Sequence, residues 1–345
     1  MTPSKHIAIV GAGMAAITCA RTLVQAGHRV TVIEKSHTVG GRMATRNSAF
    51  GTFDHGAQYF TVRDARFALA LQTTPNTCKP WSANTVRVLD AHGMVAAAGL
   101  PAREAHWVPS PGMSALVKEW AKPLALNIEL QTCVTHIEAD AINPQQWQLR
   151  TMGENDSSHV YSGFDAVVLA IPSPQAQALL ATCKQGSALA KKIDKVEVAP
   201  CWTLMLAFPQ AMQPDMWTLG PQWNAARSTH HRVAWLARES SKPGRGKIER
   251  WTVQASADWS QEHLQDDSKR IQAKLKKAFT EITGIRAEPA HVDTQCWLYA
   301  KTSRPLGQSH LWDVKAGLGL CGDWCLGHRV EDAFVSGLEL ALAVA

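Results

Sequence analysis

The stretch "HIAIVGAGMAA" at residues 6–16 leaves few options for what the chain can build around it. Residues 6–10 have the character of a short buried strand. Gly11 and Gly13 follow, with Ala16 three positions on. A helical segment then runs to Gly27, "RVTVI" (29–33) forms a second strand, and Glu34 ends it. The acid stands 23 residues after the first glycine. Each position has its own physical reason. Gly11 permits a tight turn, Gly13 lets the backbone approach a diphosphate with no Cβ in the way, and Ala16 keeps helix and strand close. The helix start offers unpaired N–H groups and about half a positive charge to phosphates. Glu34 can accept hydrogen bonds from both hydroxyls of a ribose. A glycine turn that only packs a helix leaves Glu34 unexplained, so the pattern predicts a dinucleotide site.

"TVGGRM" (38–43) follows within a few residues. A second glycine pair, with Gly41 beside Arg42, favours the longer, doubly anchored FAD over NAD. Arg42 can grip a phosphate or a ribose edge with two parallel hydrogen bonds; an ordinary surface arginine is the alternative.

Other classes fit poorly. The chain has 345 residues, enough for two domains, and 46% hydrophobic with 19% charged residues is a globular composition. A net charge of +6 comes without a basic stripe or recognition motif, so nucleic acid is not an expected partner. The densest basic stretch, "SKPGRGKIER" (241–250), reads as a solvated hairpin loop, with a phosphate site as the alternative. No apolar run approaches the ~20 residues that span a bilayer, and the glycine motif breaks up what could pass for a signal peptide. Eight scattered cysteines without C-x-x-C spacing suggest reduced thiols in a cytoplasm. Cys321 and Cys325 are too few for a zinc site, so no metal is expected. Thirteen tryptophans suggest an aromatic-lined cavity or an indole-rich core.

Six blocks taken together, "GAGMAA", "EKSHTVGGRM", "FDHGAQYFTVRD", "WVPSPGMSAL", "WLARESSKPGR" and "CGDWCLGHRVEDAFVSG", resemble the renalase family, most closely its bacterial form. The resemblance runs in order along nearly the whole chain. It implies an α/β plus α+β fold of the p-hydroxybenzoate hydroxylase type, with a Rossmann-like FAD domain and an antiparallel-sheet substrate domain. The expected division is 1–70, 111–175 and 305–345 for the FAD domain, and 71–110 and 176–304 for the substrate domain. The implied activity is oxidation of NAD(P)H isomers reduced at ring position 2 or 6, with dioxygen as acceptor and NAD(P)+ and hydrogen peroxide as products.

The blocks also carry residues over. They place Met14, Glu34, Arg42 and Val134 around the adenine nucleotide of a non-covalent FAD, with Lys35 and Gly41 as further cofactor contacts. Gly56, Ala57 and Gln58 are expected against the flavin. Gly322 and Asp323 are expected at its ribityl–diphosphate region. The N–H groups near Arg329 and Val330 would point at its pyrimidine ring, where a helix start would stabilise negative charge. Tyr59, Phe60, Thr61, Val62 and Arg63 are expected to line the substrate side. Trp297 and Tyr299 could complete an aromatic cage or pack in the core. Trp324 could wall the substrate site or lie beneath the flavin. The loop at Pro101 is a further candidate. Cys201 stands where the family usually has Thr, and Gln295-Cys296 where it often has His-Arg, which leaves substrate preference open. With no acid–base pair in view, the flavin itself would carry the chemistry. An amine oxidase or desaturase of the same fold, and a flavin-binding protein without turnover, remain alternatives.

The chain's organisation agrees with this layout. "GMSALVKEWAKPL" (112–124) and "SKRIQAKLKKAFTEITG" (268–284) have one apolar face each and read as helices. "DAVVLAIP" (165–172) and "LGLCGD" (318–323) read as returning strands of the flavin sheet, and a helix is expected from about Val330. "CWTLMLAF" (201–208), "RVAWLAR" (232–238) and "RWTVQAS" (250–256) read as successive antiparallel strands.

Overall fold

The computed structural model describes residues 3–81, 87–97, 104–212 and 223–345. Five strands form a parallel sheet, in the order Leu318–Leu320, Ala166–Leu169, His6–Val10, Arg29–Ile33, Ile128–Glu129, and Leu311–Asp313 adds an antiparallel edge. His6–Val10 at its centre is nearly all apolar and buried, as a strand covered on both faces must be. The helices Met14–Gln25 and Val330–Val344 lie together over one face. Gly337 permits this, because a Cβ there would come within 2.2 Å of the Ala15 carbonyl oxygen. A three-stranded antiparallel sheet over Cys133–Ala139, Trp147–Met152 and Ser158–Phe164 covers the other face through Ile137, Leu149 and Phe164.

The second large sheet has seven strands, in the order His291–Arg304, Glu197–Phe208, Glu249–Ala255, Val233–Arg238, Ala225–Ser228, Arg87–Leu89, Val95–Ala97. The helix Ser268–Thr283 backs it. Ile271, Leu275, Phe279 and Ile282 face the sheet, and Gly284 stops the helix at φ 74°, the left-handed conformation that suits glycine. The fold is therefore a Rossmann-like parallel sheet joined to an antiparallel-sheet unit, as expected from the sequence. The helix expected at 112–124 is shorter, Ser114–Ala121, and passes into a 3-10 turn at Pro123.

The basic stretch 241–250 overturns its reading as a solvated loop. The Lys242 and Arg245 side chains are fully buried. Lys242 Nζ lies 3.0 Å from Asp54 Oδ2 and 2.9 Å from Glu239 Oε1. Arg245 Nη2 lies 2.6 Å from Asp54 Oδ2 and donates to the Pro109 carbonyl at 3.0 Å. Arg250 is also buried and donates to the Phe50 and Thr52 carbonyls. Gly244 and Gly246 still make a turn, at φ 74° and 78°. The turn folds inward because Asp54, 188 residues away from Lys242, supplies the countercharge. Burial alone would raise Asp54, but the Lys242 and Arg245 charges bring it below the usual carboxylate range, whereas burial holds Glu239 above it.

Candidate active site

A cavity of about 1490 Å³ lies between the two sheets. That exceeds the roughly 300–1,000 Å³ of drug-sized sites, leaving room for a dinucleotide cofactor and a second molecule. Its wall includes every expected cofactor position except Ala16, which is buried in the helix behind it.

At one end is the glycine turn. Gly11 has φ 101°, and a Cβ there would come within 2.7 Å of the Ala170 carbonyl oxygen, so the fold itself demands glycine. Gly13 is different. Its φ of −82° suits any residue, and a Cβ would meet only Gly41 Cα, at 4.0 Å. The protein leaves that space open. Gly13 is the N-cap of the first helix, with no side-chain cap and no acid in the first turn, so the free amides face the cavity. An open cradle at an uncapped helix start fits the diphosphate of a flavin dinucleotide. Glu34 Oε2 accepts from the Ala12 N–H and Oε1 from the Ser36 N–H, both at 2.8 Å. These bonds fix the carboxylate, and its remaining lone pairs are available to ribose hydroxyls. Met14, Lys35 and Val134 complete this end.

Arg42 is not free to grip a phosphate with both arms. Its guanidinium forms a two-armed ion pair with Asp323, with Nη1–Oδ2 at 2.9 Å, tying together segments 281 residues apart. Both line the cavity. Trp324 does not: it is 1% exposed, and its indole N–H donates to the Ile171 carbonyl at 2.9 Å. Of its two sequence readings, core packing holds. Gly322 allows this, since a Cβ would strike the same indole at 2.5 Å. Cys321 and Cys325 are buried, and burial pushes the Cys325 thiol up to about 12.

Arg329 and Val330 line the cavity where the last helix starts. That helix carries Glu331 and Asp332 in its first turn. Asp332 accepts from the His328 and Arg329 N–H groups, and Glu331 from those of Arg63 and Asp64. Protein carboxylates therefore already offset part of the positive charge at this helix end, unlike at Gly13.

The Gly56–Tyr59 segment runs between the two sheets. The Ala57 N–H donates to the Arg42 carbonyl at 2.9 Å, and a Cβ on Gly56 would sit 2.1 Å from that oxygen. Gln254 Nε2 donates to the Gly56 carbonyl at 2.7 Å, and Trp297 Nε1 to that of His55 at 2.9 Å. Gln58 lines the cavity and accepts from Lys242 Nζ at 3.2 Å. Tyr59 also lines it, its ring 5.8 Å from that of Trp235 and edge-on to His106 at 4.2 Å. Cys201, Trp297 and Tyr299 stand on the opposing sheet wall, and burial pushes the Cys201 thiol up to about 11.

The rest of the segment leaves the site. Phe60 is buried against Phe67, and its backbone exchanges hydrogen bonds with Trp107, which draws the chain away. Thr61 and Val62 lie outside the cavity wall, and Arg63 pairs with Glu104 at the surface. Pro101 lies outside the described residues. Sequence reasoning passed over Trp235, Gln254 and Arg227, which the sheet turns toward the cavity. The alternation in "RVAWLAR" could have singled out Trp235.

His55 stacks on Trp297, ring centroids 5.1 Å apart. Burial, helped by the Arg46 charge, pushes it down to about 4. The unfolded chain binds this proton near pH 6.5, so the fold gains stability above that value and loses it as pH falls toward 4. The loss attributable to His55 is roughly 3 kcal/mol. Thermal melts of His55→Phe, which keeps a ring on Trp297, should show a flatter decline from pH 7 to 4.5 than the wild type, and parallel declines would count against this assignment.

Two family signatures match the chain: an NAD(P)-binding Rossmann-like domain over residues 9–70 and a flavin containing amine oxidoreductase over residues 97–345. Similar proteins include the L-amino-acid oxidase of Siganus canaliculatus, 50% identical over 56 residues, which is 16% of this chain and 11% of that one. L-amino acid oxidase Cdc18 of Crotalus durissus cumanensis is 58% identical over 41 residues, 12% of this chain and 8% of its own. The matched stretches thus span about a tenth of these relatives' length. A structure assigned as a protoporphyrinogen oxidase, from Exiguobacterium sp. 255-15, superposes with a TM-score of 0.76 at 12% identity, covering 100% of this chain and 99% of that one. At that identity the likeness is one of fold.

Proposed function

The chain belongs to the family of flavin-containing amine oxidoreductases, and on that premise we propose that it is a renalase-type oxidase of dihydronicotinamide dinucleotides. Its substrates would be NAD(P)H isomers reduced at ring position 2 or 6. The overall reaction consumes the isomer, one proton and dioxygen, and yields NAD(P)+ and hydrogen peroxide. Non-covalently bound FAD would supply a two-electron acceptor that dioxygen regenerates.

The chain's own residues have three tasks. The Gly11–Gly13 turn and Glu34 hold the cofactor's diphosphate and ribose. The Gly56–Gln58 backbone, clamped by Arg42 and Gln254, sets the height of the floor beneath the substrate. The sheet wall of Trp235, Cys201, Trp297 and Tyr299 orients a flat ring and excludes water, so positioning supplies most of the rate. A dihydropyridine regains aromaticity as it is oxidised and needs no base. The thiol in the wall is held protonated by burial.

The observation that carries this reading is the charge of the cavity. Arg227, Lys301 and Arg329 are among the cations that line it, while its wall carboxylates are Glu34 and Asp323, each already engaged. Such a wall suits an anionic dinucleotide and repels a polyamine. Oxidation of an amino acid is the second reading: the local similarity to L-amino-acid oxidases favours it, and Arg227 could seat a carboxylate. The cytoplasm, where nicotinamide nucleotides are abundant and thiols stay reduced, is the proposed compartment.

Anaerobic mixing of holoprotein with 6-dihydro-NAD should bleach the visible flavin band within one turnover. A panel of L-amino acids and amines should leave it intact. Persistent colour with the isomers and bleaching by an amino acid would transfer the assignment to the second reading.

A further inference from the structure

Five strands of the antiparallel sheet share one cross-strand row. Arg227 pairs with Trp235, Trp235 with Gln254, Gln254 with Thr203, and Thr203 with Gln295. Residues directly opposite one another project to the same face, and four of these five line the cavity. Most of the row is already engaged. Gln254 holds the Gly56 carbonyl, Gln295 accepts from Arg46 at 2.6 Å, and Trp235 packs beside Tyr59. Arg227 is exposed, and its side chain has no ion pair or hydrogen bond among the described residues. A five-donor planar cation with no partner, standing at one end of a built wall, calls for an oxyanion from the ligand.

Its position narrows the choice. Gln254 and Trp297 hold the Gly56 segment, where the substrate's ring must lie. Arg227 sits two strands beyond Gln254, or about 10 Å at the usual strand spacing. That separation suits a ring at Gln254 and a phosphate one ribose away. Resting on the dinucleotide reading above, we propose that Arg227 is a specificity-determining residue, pairing its guanidinium with the phosphate next to the nicotinamide ribose of the substrate.

The test uses holoprotein and two non-reacting probes, NAD+ and phosphate-free nicotinamide riboside, with binding followed by tryptophan fluorescence and by the shape of the flavin band. The wild type should bind NAD+ the more tightly. Arg227→Gln should lose about 10- to 100-fold in NAD+ affinity, as expected for a charge-assisted phosphate contact, and nothing for the riboside. Arg227→Lys should recover part of the loss, and with dihydro isomers the defect should fall on KM rather than kcat. Unchanged NAD+ affinity in Arg227→Gln, or an equal loss for the riboside, would overturn the assignment of Arg227 alone. A wild type that binds neither probe and is not reduced by the isomers would instead overturn the dinucleotide reading.

Discussion

Gly13→Ala should yield a folded protein that purifies without its yellow colour. The added methyl meets nothing closer than Gly41 Cα, 4.0 Å away, and the backbone at Gly13 is one that alanine adopts freely. Alanine is a poorer N-cap than glycine, but it also lowers the entropy of the unfolded chain, so the two effects leave stability within about 1 kcal/mol of wild type. The methyl does occupy the space in front of the uncapped helix start. Keeping a diphosphate from two amides removes hydrogen bonds worth about 1.5 kcal/mol or more each, together about 10²-fold in FAD affinity. Gly11→Ala is the control. Its Cβ would lie 2.7 Å from the Ala170 carbonyl oxygen and φ is 101°, so this variant should lose stability before it loses ligand. Apo-protein melting temperatures and FAD titrations of both variants separate a glycine kept for the fold from one kept for the ligand. If Gly13→Ala binds FAD like wild type, the diphosphate is not bound at this turn.

That contrast also shows what was legible in the sequence. Gly11, Gly13 and Glu34 act on one another within a single strand–helix–strand unit, so their spacing is the structure. The apolar stripe of Ser268–Thr283 is equally local. Other parts depend on partners far along the chain. Trp324 is settled by a carbonyl 153 residues away, and the path of Phe60 by its bridge to Trp107. No local pattern distinguishes an indole in a cavity wall from one in the core. The strand His291–Arg304 was missed because most of its residues are half-exposed, which blurs the alternation that marks a strand. The basic turn at 241–250 misled for the same reason. Four basic residues around two glycines look solvated until a buried acid from another segment is placed beside them.

Lys242→Met should be the most destabilising of the substitutions considered. The ammonium is fully buried between Asp54 and Glu239 and also meets Gln58 Oε1. Asp54 keeps Arg245 when the lysine is lost. Among the described residues, Glu239 keeps only the Thr252 hydroxyl, at 2.8 Å, on one oxygen, and its other oxygen has no hydrogen-bond partner. Breaking a buried pair in this way costs about 3–5 kcal/mol, or roughly 10 °C in melting temperature. The defect should depend on pH with a definite sign. Burial already raises Glu239 above its ordinary value, and losing Lys242 raises it further. A group with a raised folded pKa contributes most below its unfolded value and least above the folded one, so the deficit should be smallest near pH 4 and grow toward pH 8. Lys242→Met/Glu239→Gln should recover much of the loss at pH 8 by removing the unpaired charge. The variant should also release FAD more readily, because Gln58 loses a contact that fixes the Gly56–Tyr59 segment. Urea unfolding at pH 4 and pH 8 decides the matter. A Lys242→Met protein whose deficit is the same at both, and is not relieved by the second substitution, would mean that the lysine contributes through packing against Trp81 rather than through its charge.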